Sequence, residues 1–245
     1  MLKSTKTKAQ ANTPDRLFLY GGLVSRFGLV QAAIISDLYF WFAKGVQPWR
    51  TYQNWADWLS VSTKTIARQV EQLANKAEVV NRTRTRLKGG GLGAYQFSLA
   101  NSKESKYIYK LYSELATNKH STNDLGSLDG ECIGAPSYQM VYVESISRLG
   151  GLELAYVVNC LAWSSANYID HYSSVSYLAT RFSLNRKSLT RYLAKLEALN
   201  LIALKNDEDR VSITLKGEAF QVEKDFYEWN EAIRECRAIS LNIEL

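Results

Sequence analysis

Cysteine is scarce, histidine scarcer, and no long apolar run exists. The chain has 245 residues and three cysteines, Cys132, Cys160 and Cys236, which lie far apart. An odd, scattered set excludes a disulfide frame and offers no zinc-ligand spacing. It is what a reducing cytoplasm expects of free thiols. No apolar stretch reaches the ~18–20 residues that a membrane helix needs. The segment Met1–Asp15 is polar, carries three lysines and lacks the apolar core of a secretory leader. The two histidines, His120 and His171, stand apart from any nucleophile motif. No glycine-rich loop ending in Lys-Ser/Thr is present, which argues against an ATPase. Tyrosine is abundant at 15. However, a tyrosine-nucleophile enzyme on DNA needs a histidine cluster or an Arg/His/Lys set beside it, and none can be assembled. No enzymatic activity, catalytic residue, cofactor or metal is expected.

Charge is distributed unevenly. The net charge is +6, and residues 16–100 alone hold 11 basic against 4 acidic side chains. Residues 138–220 hold 9 against 8, and residues 221–245 are net acidic. A strongly basic segment has a polyanion as its natural partner, although a merely soluble basic protein would share this composition.

The chain repeats itself. Ser25-Arg26-Phe27-Gly28 is echoed by Ser147-Arg148-Leu149-Gly150. Ala32 to Trp41 is echoed by Leu154 to Trp163, at the same offset of 122 residues. After one inserted residue the offset is 123: Ala56 matches Ala179, Val61 Leu184, Lys64 Lys187, Ile66 Leu189, Arg68 Arg191 and Leu73 Leu196. Order and hydrophobic pattern agree throughout, so the chain reads as two copies of one unit.

In the first copy the pattern predicts a helix over Val30–Ala43, ended by Gly45 and Pro48, and a short helix over Tyr52–Leu59 capped by Thr51. A turn at Ser60-Val61 follows. Ser62 then caps a helix over Thr63–Asn75 with Ile66, Val70 and Leu73 inward. The second copy predicts a helix over Ser174–Phe182, a turn at Ser183-Leu184, and a helix over Arg186–Ala198 capped by Asn185, with Leu189, Leu193 and Leu196 inward. Each copy continues into a hairpin. One is Val79–Leu87 with Ala94–Leu99 about Lys88-Gly89-Gly90-Gly91-Leu92-Gly93. The other is Leu201–Lys205 with Arg210–Leu215 about Asn206-Asp207-Glu208-Asp209. The expected fold is mainly α with small β-hairpin wings (α+β), as two tandem winged-helix domains. The expected division is a flexible basic arm (1–15), a first domain (16–100), a helix and polar linker (101–137), a second domain (138–220) and an amphipathic C-terminal helix (221–245).

Ala56-Asp57-Trp58-Leu59-Ser60-Val61-Ser62-Thr63-Lys64-Thr65-Ile66-Ala67-Arg68 resembles the helix-turn-helix of bacterial, plasmid and phage winged-helix proteins. So does Leu178-Ala179-Thr180-Arg181-Phe182-Ser183-Leu184-Asn185-Arg186-Lys187-Ser188-Leu189-Thr190-Arg191. The helix ending in Tyr39-Phe40-Trp41-Phe42 is similar to one found in replication proteins of mobile elements. Two such units in one chain resemble the twin winged-helix plasmid replication initiators, over roughly 16–100 and 138–220. The resemblance implies double-stranded DNA as partner and a nucleoid- or plasmid-associated cytoplasmic protein.

A reading helix offers its outward side chains to base edges. The candidates are Thr63, Lys64, Thr65, Arg68, Gln69 and Gln72 in the first copy. In the second they are Arg186, Lys187, Ser188, Thr190, Arg191 and Lys195. The alternative for both sets is a solvated helix face. In the first wing Arg82, Arg84 and Arg86 alternate with threonines. That places three guanidinia on one face about 6.8 Å apart, a spacing suited to phosphates, with Lys88 at the tip. The alternative is a charged edge strand guarding against aggregation. The second wing's tip, Asp207-Glu208-Asp209, would repel phosphates and is expected to be a solvated turn; adjacent acids there cannot converge on one metal ion.

Residues 103–116 predict an amphipathic helix, and 117–137 a mobile linker that lets two domains address separate grooves. In the tail, Val222, Phe226, Trp229, Ile233 and Cys236 form a stripe that would pack on its own domain or serve a homodimer. Three functions fit: an origin-binding initiator, a transcription regulator using the same contacts, or a scaffold that binds proteins such as replication or transcription machinery. The resemblance favours the first.

Overall fold

The computed structural model describes residues 15–86, 92–116, 138–166, 172–207, 210–222 and 224–225. The protein is mainly helical with small antiparallel sheets. Its first half runs β1 (Arg16–Tyr20), α1 (Gly21–Phe27), α2 (Leu29–Ala43), β2 (Trp49–Arg50), α3 (Tyr52–Leu59), α4 (Thr63–Glu71), β3 (Val80–Arg86), β4 (Leu92–Leu99) and α5 (Lys103–Ala116). Its second half runs β5 (Tyr138–Tyr142), α6 (Val143–Arg148), α7 (Leu152–Ala166), α8 (Val175–Arg181), α9 (Arg186–Ala198), β6 (Ile202–Asp207) and β7 (Arg210–Leu215). Among the described residues no helix is long and apolar enough to cross a membrane.

The repeat extends to backbone detail. Gly28 and Gly150 both take positive φ (80° and 86°) between their helices. Ser60 (φ 53°) and Ser183 (φ 55°) both turn the chain in the left-handed region. Glu78 (φ 48°) and Asn200 (φ 56°) both do so before a strand. Between Leu73 and Val79 the first copy has one residue more than the second has between Leu196 and Leu201. The first copy winds that residue into a π turn, Gln72–Lys76, closed by Ala77 N–H to the Gln72 carbonyl. A π turn takes up one extra residue without shifting the faces on either side. Leu73 and Val79 therefore stay in the core.

One further element repeats. Arg26 of α1 pairs with Glu104 of α5 at 2.8 Å, and Arg148 of α6 pairs with Glu218. Residues 217–222 are helical, with Ala219 buried as Ser105 is in α5. The start of the tail is therefore the second half's counterpart of α5. Phe226, Trp229, Ile233 and Cys236 lie outside the described residues. So do the basic arm and the linker 117–137. The helix α5, assigned from sequence to the linker region, instead packs on α2 and buries Ile108, Leu111 and Tyr112.

The halves are not independent. β1 pairs antiparallel with β5 over five residue pairs, from Arg16↔Tyr142 to Tyr20↔Tyr138. At the centre Phe18 faces Met140, and these positions are equivalent in the repeat. An antiparallel ladder centred on equivalent residues carries an approximate two-fold axis, so the two copies are related as in a symmetric dimer. Reciprocal contacts agree: α3 packs on α6, and a Cβ at Gly21 in α1 would meet the Ser183 hydroxyl beside α8 at 2.8 Å. The outer edge of β1 is closed by side chains. Phe18 N–H donates to Ser36 Oγ (2.7 Å) and the Phe18 carbonyl accepts from Tyr112 (2.7 Å). Phe18, Tyr20, Phe40, Tyr112 and Tyr138 form a ring cluster across this junction.

Candidate nucleic-acid interface

Two short helices meet at a tight turn in each copy. Val61 N–H donates to the Ala56 carbonyl (3.1 Å) and Leu184 N–H to that of Ala179 (2.9 Å). Both side chains pack on the core as plugs. The next helix is capped by a side-chain oxygen: Ser62 accepts from Thr65 N–H (3.1 Å) and Asn185 from Ser188 N–H (2.7 Å). Ile66, Val70 and Leu73, and likewise Leu189, Leu193 and Leu196, face inward. The first turn of each helix is left projecting.

Among the residues expected to read DNA, Thr63, Lys64 and Arg68 are exposed on α4, and Arg186, Lys187, Thr190, Arg191 and Lys195 on α9. Ser188 is half-buried. Two hydroxyls are occupied within their own helices: Thr65 Oγ1 bonds Ser62 Oγ (2.9 Å), and Thr190 donates to the Arg186 carbonyl (2.9 Å). Arg191 leans over the Tyr192 ring at 5.1 Å. Gln69 and Gln72 differ from expectation. Their Oε1 atoms both accept from Gln31 Nε2, at 2.5 and 2.6 Å. Gln31 is a buried residue of α2 that sequence reasoning missed. Its only signal was a lone amide in an apolar helix.

The first wing also departs from a free arginine row. β2, β4 and β3 form one sheet, in which Arg82 pairs with Phe97 and Arg84 with Tyr95. The face that carries Arg82 and Arg84 also carries buried Val80 and Phe97, so it is the inner face of the hairpin. Tyr52 and Tyr95 stack there, 4.6 Å apart at 12°. Arg82 donates to the Tyr52 hydroxyl (2.5 Å), and the guanidinia of Arg82 and Arg84 lie 5.8 and 5.2 Å from the Tyr95 ring centre. Burial pushes the Tyr52 hydroxyl up to about 12, so it remains neutral and accepts from Arg82. Arg82 is thus half-buried and spent on packing, while Arg84 is exposed. The ladder then shifts: one residue separates Arg84 from Arg86 on β3, two separate Tyr95 from Leu92 on β4. Such a bulge adds twist, so the third arginine does not continue a flat row. The side chain of Arg86, and Lys88 with the tip, lie outside the described residues.

The second wing is tied down. Asp207 accepts from Tyr172 (2.5 Å), Arg210 lies over the Tyr172 ring at 5.3 Å, and Glu197 of α9 accepts from Leu204 N–H (3.2 Å). Glu208 and Asp209 are outside the described residues.

Gln69 of α4 and Asn185, Ser188 and Tyr192 of α9 border one cleft of about 630 Å³. The corner between α1 and α2 contributes to its wall. The two candidate reading helices therefore flank a common opening across the pseudo-two-fold axis. No protein-family model matches this chain, and no curated protein and no solved structure does.

Proposed function

We propose that the chain is a sequence-specific double-stranded DNA-binding protein of two winged-helix units, acting as an origin-binding replication initiator of a plasmid, phage or integrated element. One observation carries the DNA-binding reading. The same capped helix–turn–helix with a basic exposed face, followed by a hairpin, occurs twice about an approximate two-fold axis. Such an arrangement suits two major-groove contacts in opposite orientation. Because α4 and α9 carry different outward side chains, the matching site is two unlike half-sites in inverted order. Replication, rather than regulation, rests on the family resemblance alone. A regulator at an inverted operator would use the same contacts. Sequencing DNA crosslinked to the full chain separates them: repeated sites beside a replication gene support initiation, one site across a promoter supports regulation.

Binding is expected to weaken steeply with salt, by about −0.9 in log–log slope for each phosphate neutralised. Equal affinity at low and high salt in a fluorescence titration would reject the proposal. Arg68→Ala and Arg191→Ala are expected to cost about 1–3 kcal/mol on the preferred duplex and little on a scrambled one. Arg84→Ala should weaken both duplexes alike, as loss of a phosphate contact does. The reverse pattern would exchange the roles of helix and wing.

A further inference from the structure

The Gln31 side chain is 7 % exposed and lies on α2, beneath the reading helix. An amide nitrogen carries two hydrogens, and here both are engaged: Nε2 donates to Gln69 Oε1 (2.5 Å) and to Gln72 Oε1 (2.6 Å). Each glutamine is held by its oxygen and left with its NH2 end free. Both remain half-exposed, Gln69 on α4 and Gln72 at the start of the π turn that follows it, and Gln69 borders the cleft between the two reading helices. The second copy has Glu153, Tyr192 and Lys195 at the three equivalent positions, so this amide cluster belongs to the first copy alone.

We propose that Gln31 is a specificity-determining positioning residue: it fixes Gln69 and Gln72 as hydrogen-bond donors toward DNA. This rests on the DNA-binding reading above. A free glutamine recognises adenine through both amide ends, accepting from N6 and donating to N7. With the carbonyl turned inward onto buried Gln31, the oxygen does not lie beside the NH2 group at the groove face, so the two-point contact is closed to Gln69 and Gln72 although each oxygen keeps a second lone pair. What remains is donation to acceptor edges: in the major groove guanine offers O6 and N7 and thymine O4, whereas adenine offers N7 alone, beside an N6 donor that an NH2 end cannot satisfy. The first half-site is therefore expected to favour guanine or thymine, not adenine, where these residues reach.

Gln31→Glu tests the mechanism because a carboxylate only accepts. Gln69 and Gln72 must then turn their NH2 ends inward and present oxygen, which prefers cytosine N4 or adenine N6. Selection from a randomised duplex library, using the full chain, should show base preference at one or two positions of one half-site moving from guanine or thymine to cytosine or adenine. The expected change in relative enrichment is roughly tenfold, the scale of one hydrogen bond. The other half-site should not change. Gln31→Met keeps the volume, frees both glutamines and should broaden preference at the same positions, so the test survives if the glutamate variant does not fold. A merely structural role would lower melting temperature and affinity for every duplex without redirecting preference. Identical preferences in wild type and both folded variants overturn the role of Gln31 while DNA binding stands. Absence of saturable duplex binding by the wild-type chain removes the functional reading itself.

Discussion

Arg50→Met is expected to destabilise the protein by about 3–5 kcal/mol, the usual cost of breaking a buried ion pair from one side. The Arg50 and Asp37 side chains are each 1 % exposed. The guanidinium grips the carboxylate at two points, Nε to Oδ2 (2.7 Å) and Nη2 to Oδ1 (2.8 Å). Trp55 Nε1 donates to the same Oδ2 (2.8 Å), Arg50 Nη1 donates to the Trp49 carbonyl (3.0 Å), and the guanidinium lies 5.3 Å from the Trp58 ring centre. Removing Arg50 leaves a carboxylate in the core with one N–H for company. At roughly 2–4 °C per kcal/mol for a chain of this size, the melting temperature should fall by about 6–20 °C in a calorimetric scan. Asp37→Asn combined with Arg50→Met should recover a large part of that loss, because the buried charge goes with its partner. The second copy is the precedent: Asn159 and Ser173 stand at the equivalent positions, and Asn159 bonds its own helix through the Ala155 carbonyl (2.8 Å). A double variant as unstable as the single one would place the cost in packing. Since β2 carries Arg50 and pairs with β4, the loss should also loosen the hairpin that presents Arg84.

The helices α3, α4, α8 and α9 were legible because each has its own punctuation. Ser62 and Asn185 cap, Ser60 and Ser183 turn, and the inward residues recur at helical spacing. The spacing over Arg186–Ala198 and Arg210–Leu215 agrees with α9 and β7. What the sequence hid depends on partners distant in the chain. Arg16–Tyr20 has no turn and no partner strand beside it in the sequence to announce it, and only pairing with Tyr138–Tyr142, across the linker, makes it a strand. That pairing joins the two halves through one small sheet. Separating the halves would strip β1 and β5 of each other and expose the Phe18–Tyr138 cluster, so isolated halves are poor stand-ins for the domains. The setting of the arginine row was hidden for a related reason. Period-two spacing says that Arg82 and Arg84 share a face, but Phe97 on the neighbouring strand decides that this face is the inner one. Gln69 and Gln72 looked free because nothing in α4 reveals a buried amide on α2.

Alkali is expected to unfold the protein steeply once the pH passes 10. Tyr39, Tyr112 and Tyr156 are 0, 0 and 2 % exposed. Burial holds each hydroxyl well above its ordinary value of 10. Each also donates to a backbone carbonyl, those of Val79 (2.6 Å), Phe18 (2.7 Å) and Phe182 (3.0 Å), a bond that the phenolate cannot make. In the unfolded chain the same hydroxyls lose their protons near pH 10. The stability that they confer is therefore complete below that pH and disappears as the pH rises toward the folded values. Each tyrosine contributes a slope of about 1.4 kcal/mol per pH unit in that window, so these three alone give roughly 4, and Tyr20 and Cys160, also raised by burial, add to it. Against a total stability of about 5–15 kcal/mol, unfolding should come within roughly one to four pH units above 10. Tyrosinate absorbance followed beside far-ultraviolet circular dichroism checks this: a late, cooperative part of the absorbance change should coincide with loss of helix. Tyr112→Phe should lower the slope by about 1.4 kcal/mol per pH unit, and Tyr156→Phe equally. The two differ in what they loosen. Tyr156 is internal to the second copy, whereas Tyr112 ties α5 to the central residue of the β1–β5 ladder. Tyr112→Phe should therefore weaken the coupling between copies even at neutral pH, seen as faster amide exchange along β1, while Tyr156→Phe should leave that exchange unchanged. Full titration of all 15 tyrosines near pH 10 with the helical signal intact would contradict both the burial and the junction built on it.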